Sequence, residues 1–138
     1  MRFIIPLQSF SNIITNSSSE LFVTSLQDTD YTAKIVENIL EEIYNTDRKK
    51  REELYKKYGY DYYIKICSEE CIDSSSGDGG ELEIKTINWE DVVRYIRKCD
   101  RYKYDKKGKF LHIIIDHNRH HSIKWIKNNL PIITQSDC

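Results

Sequence analysis

The residues with the most chemical capacity lie together: Asp116, His117, Asn118, Arg119, His120 and His121, a run holding three of the four histidines of the chain. Imidazoles and a carboxylate at this density can exchange protons, or hold a divalent metal that activates water. The run sits between the apolar stretch 110–115 and a helical pattern with Ile123, Ile126 and Leu130 on one side. Such a strand-to-helix junction leaves backbone N–H groups unpaired and exposes its side chains. The plainer reading makes the same residues a cap: Asn118 or Asp116 accepts the first helical N–H groups, and the histidines stay solvated.

Other groups carry less. Asp73, Ser74, Ser75, Ser76 and Asp78 offer oxygen ligands without the spacing of a calcium loop, and Asp78-Gly79 reads as a hairpin turn. Cys67 and Cys71 are spaced C-x3-C with no matching second pair, so Cys67, Cys71, Cys99 and Cys138 are expected to be free thiols. No phosphate-binding loop, dinucleotide fingerprint or nucleophile elbow occurs, and neither a cofactor nor a metal is expected. Two basic stretches contain tyrosine, Arg48-Lys49-Lys50-Arg51 with Lys56-Lys57-Tyr58, and Arg97 to Lys109. Glu52, Glu53, Asp100 and Asp105 dilute them, so both are expected to be solvated faces and nucleic acid is not an expected partner.

Two enzyme families share fragments of the histidine run. Asp116-His117 with Asn128-Asn129-Leu130 resembles His-Asn-His nucleases, which implies a general base at His117, but the sequence reaches Cys138 without the final metal ligand of that motif. Asp116-His117 after a strand resembles Asp-His-His phosphoesterases, with Asn118 in place of the second His and no N-terminal metal motif. The segment Phe10-Ser11-Asn12-Ile13-Ile14-Thr15-Asn16-Ser17-Ser18-Ser19-Glu20-Leu21-Phe22 resembles a leader of small tailed-phage and prophage proteins. Ile113-Ile114-Ile115-Asp116-His117-Asn118 and Ile123-Lys124-Trp125-Ile126-Lys127-Asn128-Asn129-Leu130 are similar to proteins of gut, crAss-like phages. The resemblance implies a phage origin and no activity.

The elements that must position these residues follow from pattern. The chain has 138 residues with net charge −1, which suits one domain without a global field toward nucleic acid or membrane. No apolar run approaches the roughly 20 residues that span a bilayer, and no secretory signal is seen, so a virion or host-cytoplasm location is expected. Residues 1–19 are expected to be an irregular N-terminal arm and 20–138 a single α+β domain. Glu20 to Leu26 reads as a strand; Ile35, Val36, Ile39, Leu40 and Ile43 form a helical stripe; Asp47 is the expected cap of a second helix that Gly59 stops. Tyr60 to Cys67 and Glu81 to Ile87 alternate, which predicts an antiparallel hairpin. Asn88 is expected to cap a helix bearing Trp89, Val92, Val93 and Ile96; a strand over 110–115 and a helix ended by Pro131 follow. The order is the split β-α-β, ferredoxin-like arrangement, β-α-β-β-α-β, plus a C-terminal helix.

In that arrangement Asn16, Ser17, Ser18, Ser19, Asn88, Trp89 and the run Asp116, His117, Asn118, Arg119, His120, His121 converge at one end of the sheet, where two helix N-termini favour an anion or a partner's acidic groups. The last strand is an edge, yet Leu111, Ile113, Ile114 and Ile115 are apolar on both faces. Unless another strand order makes it central or the N-terminal arm covers it, these residues form an interface with another chain. The expected function is a non-enzymatic phage protein acting through contacts with itself or other phage proteins, as a virion or assembly component. A host-interaction (anti-defence) binding protein and a metal-dependent nuclease or phosphoesterase are the alternatives.

Overall fold

The computed structural model describes residues 1–7, 29–70 and 80–136. In chain order these form β1 (Arg2–Pro6), α1 (Thr29–Tyr58), α2 (Tyr60–Glu70), β2 (Leu82–Ile87), α3 (Trp89–Val92), a 3-10 helix (Lys98–Lys103), β3 (Phe110–Ile115), α4 (His120–Asn129) and β4 (Thr134–Ser136). The four strands make one antiparallel sheet in the order β2-β3-β1-β4. The chain is therefore an α+β protein. Among the described residues no helix is long and apolar enough to cross a membrane.

The strand at Arg2–Pro6 replaces the irregular arm expected there. Phe3, Ile4 and Ile5 are completely buried, because β1 lies inside the sheet and both of its faces are covered. A strand buried on both faces reads as a continuous apolar run rather than an alternation. The same reason resolves 110–115: β3 is not an edge but pairs with β1 on one side and β2 on the other, Ile113 lying opposite both Phe3 and Ile84.

The helices bury one stripe each. Val36, Ile39 and Leu40 of α1 and Ile123 and Ile126 of α4 pack on the sheet face formed by Phe3, Ile5, Leu111, Ile113 and Ile115. Burying each such aliphatic side chain stabilises the fold by roughly 1.5–3 kcal/mol. The opposite face carries a smaller cluster in which Val92 covers Ile4 and Phe110, with Trp89, Tyr95 and Ile96 around it.

Further expectations are corrected. α1 runs unbroken through Asp47, so no second helix is capped there; Asp47 faces inward and is buried. Gly59 does end it: with φ +84 its N–H donates to the Tyr55 carbonyl at 3.0 Å, the left-handed stop that glycine supplies. Beyond it Tyr60–Glu70 is helical, not the first strand of a hairpin. The apolar positions 60, 63, 64 and 67 fit a helix as well as alternation fits a strand, and packing against α1, with Cys67 buried, selects the helix. α3 stops after one turn, its Asn88 N–H meeting Asp91 Oδ2 at 3.4 Å. A short strand, β4, follows Pro131 where none was expected. The strand expected at Glu20 to Leu26 lies outside the described residues. Neither Cys67 nor Cys99 is joined in a disulfide; Cys71 and Cys138 lie outside the described residues.

Candidate functional site

The histidine run begins where β3 leaves the sheet. Asp116 N–H donates to the Glu81 carbonyl at 2.8 Å, and the Asp116 carboxylate accepts the Asn118 N–H at 2.8 Å. The Arg119 N–H closes the turn on the Asp116 carbonyl at 3.1 Å. Asp116 thus holds the turn that leads into α4, but the cap expected of Asn118 or Asp116 is not formed: the N-cap position is Arg119, with no side-chain cap hydrogen bond. Gly80 packs so closely here that a Cβ would meet Asp116 Oδ2 at 2.8 Å, and its φ of +73 also requires glycine.

From this turn two side chains reach α1. Arg119 is almost wholly buried; its Nη1 donates to Glu41 Oε1 at 3.1 Å and its guanidinium stacks 4.8 Å from the centre of the Tyr44 ring. Arg51 approaches the same tyrosine, with Nη2 3.5 Å from the hydroxyl. His121 Nδ1 lies 2.7 Å from Oδ2 of buried Asp47. Between them Ser122 Oγ donates to the Leu40 carbonyl at 3.4 Å. An imidazole oriented by a buried carboxylate is the supporting half of a hydrolytic triad. Here the polar groups pair with one another across the two helices, and Arg119 does not present its guanidinium to solvent. His117, Asn118 and His120 are exposed. Among the described residues no group of three or more His, Cys, Asp and Glu is placed to hold a metal.

The expected convergence at one sheet end does not occur. Asn88 and Trp89 follow β2, whereas Asp116 to His121 follow β3, and these neighbours are antiparallel. Their C-terminal ends therefore lie at opposite ends of the sheet. Asn88 Oδ1 accepts from Lys109 Nζ at that other end, and Trp89 packs on Phe110 with ring centres 5.9 Å apart. Asn16, Ser17, Ser18 and Ser19 lie outside the described residues. Of the expected interface, Leu111, Ile113 and Ile115 are completely buried under the chain's own helices, and Ile114 is half-buried on the other face. β3 has no free edge, so these residues do not form the edge-strand interface expected of them.

Glu41, Tyr44 and Asp47 were missed as partners of the run. A signal existed: Tyr44 and Asp47 stand four and seven residues after Leu40, so they continue the apolar stripe of α1. Polar groups on a buried stripe need partners.

The sheet face opposite α1 and α4 holds a second polar group. Arg2 Nε donates to His112 Nε2 at 3.0 Å, Arg2 stacks 4.5 Å from the Tyr95 ring centre, and that ring is 5.4 Å from the imidazole. Burial, reinforced by the charges of Arg2 and Lys85, pushes the His112 pKa below its ordinary 6.5. A neutral ring is what the hydrogen bond needs, because Nε2 must accept.

A third surface is apolar and exposed. Tyr55, Tyr58, Tyr60, Tyr62 and Ile64 surround the Gly59 corner, each 44–62% accessible. The Tyr58 and Tyr62 rings are 4.6 Å apart and Lys57 Nζ lies 5.1 Å from the Tyr58 ring centre. Sequence reading assigned these tyrosines to a helix end and a strand, which separated them.

No protein-family model, no curated protein and no solved structure matches the chain.

Proposed function

We propose that the chain works by holding a protein partner, as a structural or assembly component of a tailed phage, and not by catalysis. The observation that carries this reading is the corner where α1 meets α2. Tyrosines are rigid, amphipathic side chains that bury much area at small entropic cost, and they are enriched where proteins bind proteins. Tyr55, Tyr58, Tyr60 and Tyr62 present such a set on two helices fixed to one another by packing. The histidine run, the natural alternative, spends Arg119 and His121 on joining α4 to α1. Phage origin rests on the resemblance of 10–22 and of the C-terminal segments, and it sets the expected surroundings: other phage proteins, in the virion or the host cytoplasm.

The fold we propose for this role is the split β-α-β, ferredoxin-like arrangement. Its support is the order β2-β3-β1-β4 with antiparallel neighbours, reached by a chain that runs strand, helices, strand, the short α3 and a 3-10 helix, strand, helix, strand. The elements filling that plan differ from those expected: β1 takes the first place and β4 the last.

The test is protein composition of purified particles. The chain should be present in them, and a Tyr60→Ser/Tyr62→Ser variant that melts within about 2 °C of the wild type should be lost from them. Absence of the wild type from particles removes the virion role. Incorporation of the variant at wild-type level removes the corner as the contact. Turnover of phosphate esters that His117→Ala abolishes would overturn the non-catalytic reading.

A further inference from the structure

The sheet has two edges, and they differ. β4 has three residues, too short to template a partner strand. β2 has six, Leu82-Glu83-Ile84-Lys85-Thr86-Ile87, and among the described residues no strand lies beyond it. The geometry points to a second copy of this chain as its neighbour, paired antiparallel about a two-fold axis at Ile84. This surface is separate from the tyrosine corner and does not depend on the function proposed for it.

The backbone sets which registers are open. Asp116 N–H donates to the Glu81 carbonyl, so Glu81, Glu83, Lys85 and Ile87 turn their N–H and C=O groups toward β3. Leu82, Ile84 and Thr86 therefore turn theirs outward. A second β2 must match outward residues with outward residues. With the axis at Ile84, Ile84 faces its own copy and Leu82 faces the copy's Thr86, each pair exchanging both backbone bonds.

Charge then selects among the permitted registers. With this axis each Glu83 lies directly opposite the copy's Lys85, in the non-hydrogen-bonded positions where side chains come closest. Moving the axis by one residue puts Glu83 opposite Glu83 or Lys85 opposite Lys85. Both side chains are available: Lys85 is 62% and Glu83 43% exposed, and they already pair along the strand at 2.6 Å. The two copies would merge these pairs into one alternating ladder of charges. Below the ladder, Ile84 of each chain, partly buried on the helix side, would meet its counterpart. The axis stands perpendicular to the sheet, so both helical layers stay on one side and the sheets join into one.

Sedimentation velocity over a dilution series of the full chain tests this. The wild type should associate to a dimer as concentration rises. Glu83→Lys and Lys85→Glu place like charges opposite each other at both symmetry-related positions, and each should weaken the dimer by about tenfold. An equimolar mixture of these two variants should recover association, because each chain then faces opposite charges. The double variant Glu83→Lys/Lys85→Glu should also recover it. All of these changes are at exposed side chains, and circular dichroism with an unchanged melting midpoint confirms the fold of each. A wild type that stays monomeric at every concentration overturns the proposal. So does a dimer that the single variants leave unchanged, or a mixture that associates no better than its components.

Discussion

Replacing Arg119 should destabilise the fold through lost packing far more than through lost charge. The side chain is 1% exposed, while the Glu41 carboxylate it meets is 41% exposed. In Arg119→Ala, Glu41 can return to water, so the broken ion pair costs no more than about 1 kcal/mol. Losing the stack on Tyr44 costs about 1 kcal/mol. The cavity under the aliphatic stem costs about 2–3 kcal/mol. Against these, removing a buried guanidinium returns about 1 kcal/mol of desolvation. The balance is about 3 kcal/mol, or roughly 10 °C in melting temperature for a chain of this length. Urea unfolding of Arg119→Ala, Arg119→Met and Glu41→Ala separates the contributions. Arg119→Met, which keeps most of the volume, should cost about 1 kcal/mol, and Glu41→Ala less. If Arg119→Ala costs under about 1 kcal/mol, or if Met is as damaging as Ala, Arg119 does not work as a buried wedge between α1 and α4.

Two further outcomes follow from single residues. Because His112 has its pKa pushed below 6.5 in the folded chain, its contribution to stability is complete above that pH and is lost as pH falls from 6.5 through the folded-state value; urea unfolding of His112→Gln should show a smaller loss on acidification, and an unchanged slope would remove His112 as the cause. Gly59→Ala should cost about 1 kcal/mol, since its φ is +84 with nothing within 4 Å of the added carbon. The penalty is therefore conformational, so Gly59→Asn should recover about half of it, and thermal unfolding showing no loss for Ala would mean the corner relaxes.

The amino-acid sequence carried the local part of this structure because local patterns report burial directly. Val36, Ile39 and Leu40 mark the inner stripe of α1 at helical spacing, and the apolar run 110–115 is a strand for the reason its composition suggests. Leu82 to Ile87 alternates and forms a strand; Gly59 stops a helix because few other residues accept a positive φ.

Pairing across the chain was not local and could not be read in that way. Whether 110–115 is an edge or the centre of the sheet depends on Phe3, Ile4 and Ile5, more than a hundred positions earlier, taking the place beside it. Tyr60 to Cys67 satisfies both periodicities, and only the surface of α1 decides between them. The histidine run shows the same division. Its residue types suggested proton or metal chemistry, yet Arg119 and His121 are occupied by Glu41, Tyr44 and Asp47, 74 to 78 positions away. Residue type sets what a side chain is able to do; the neighbours that folding brings to it, here from a distant turn of α1, determine which of those capacities is used.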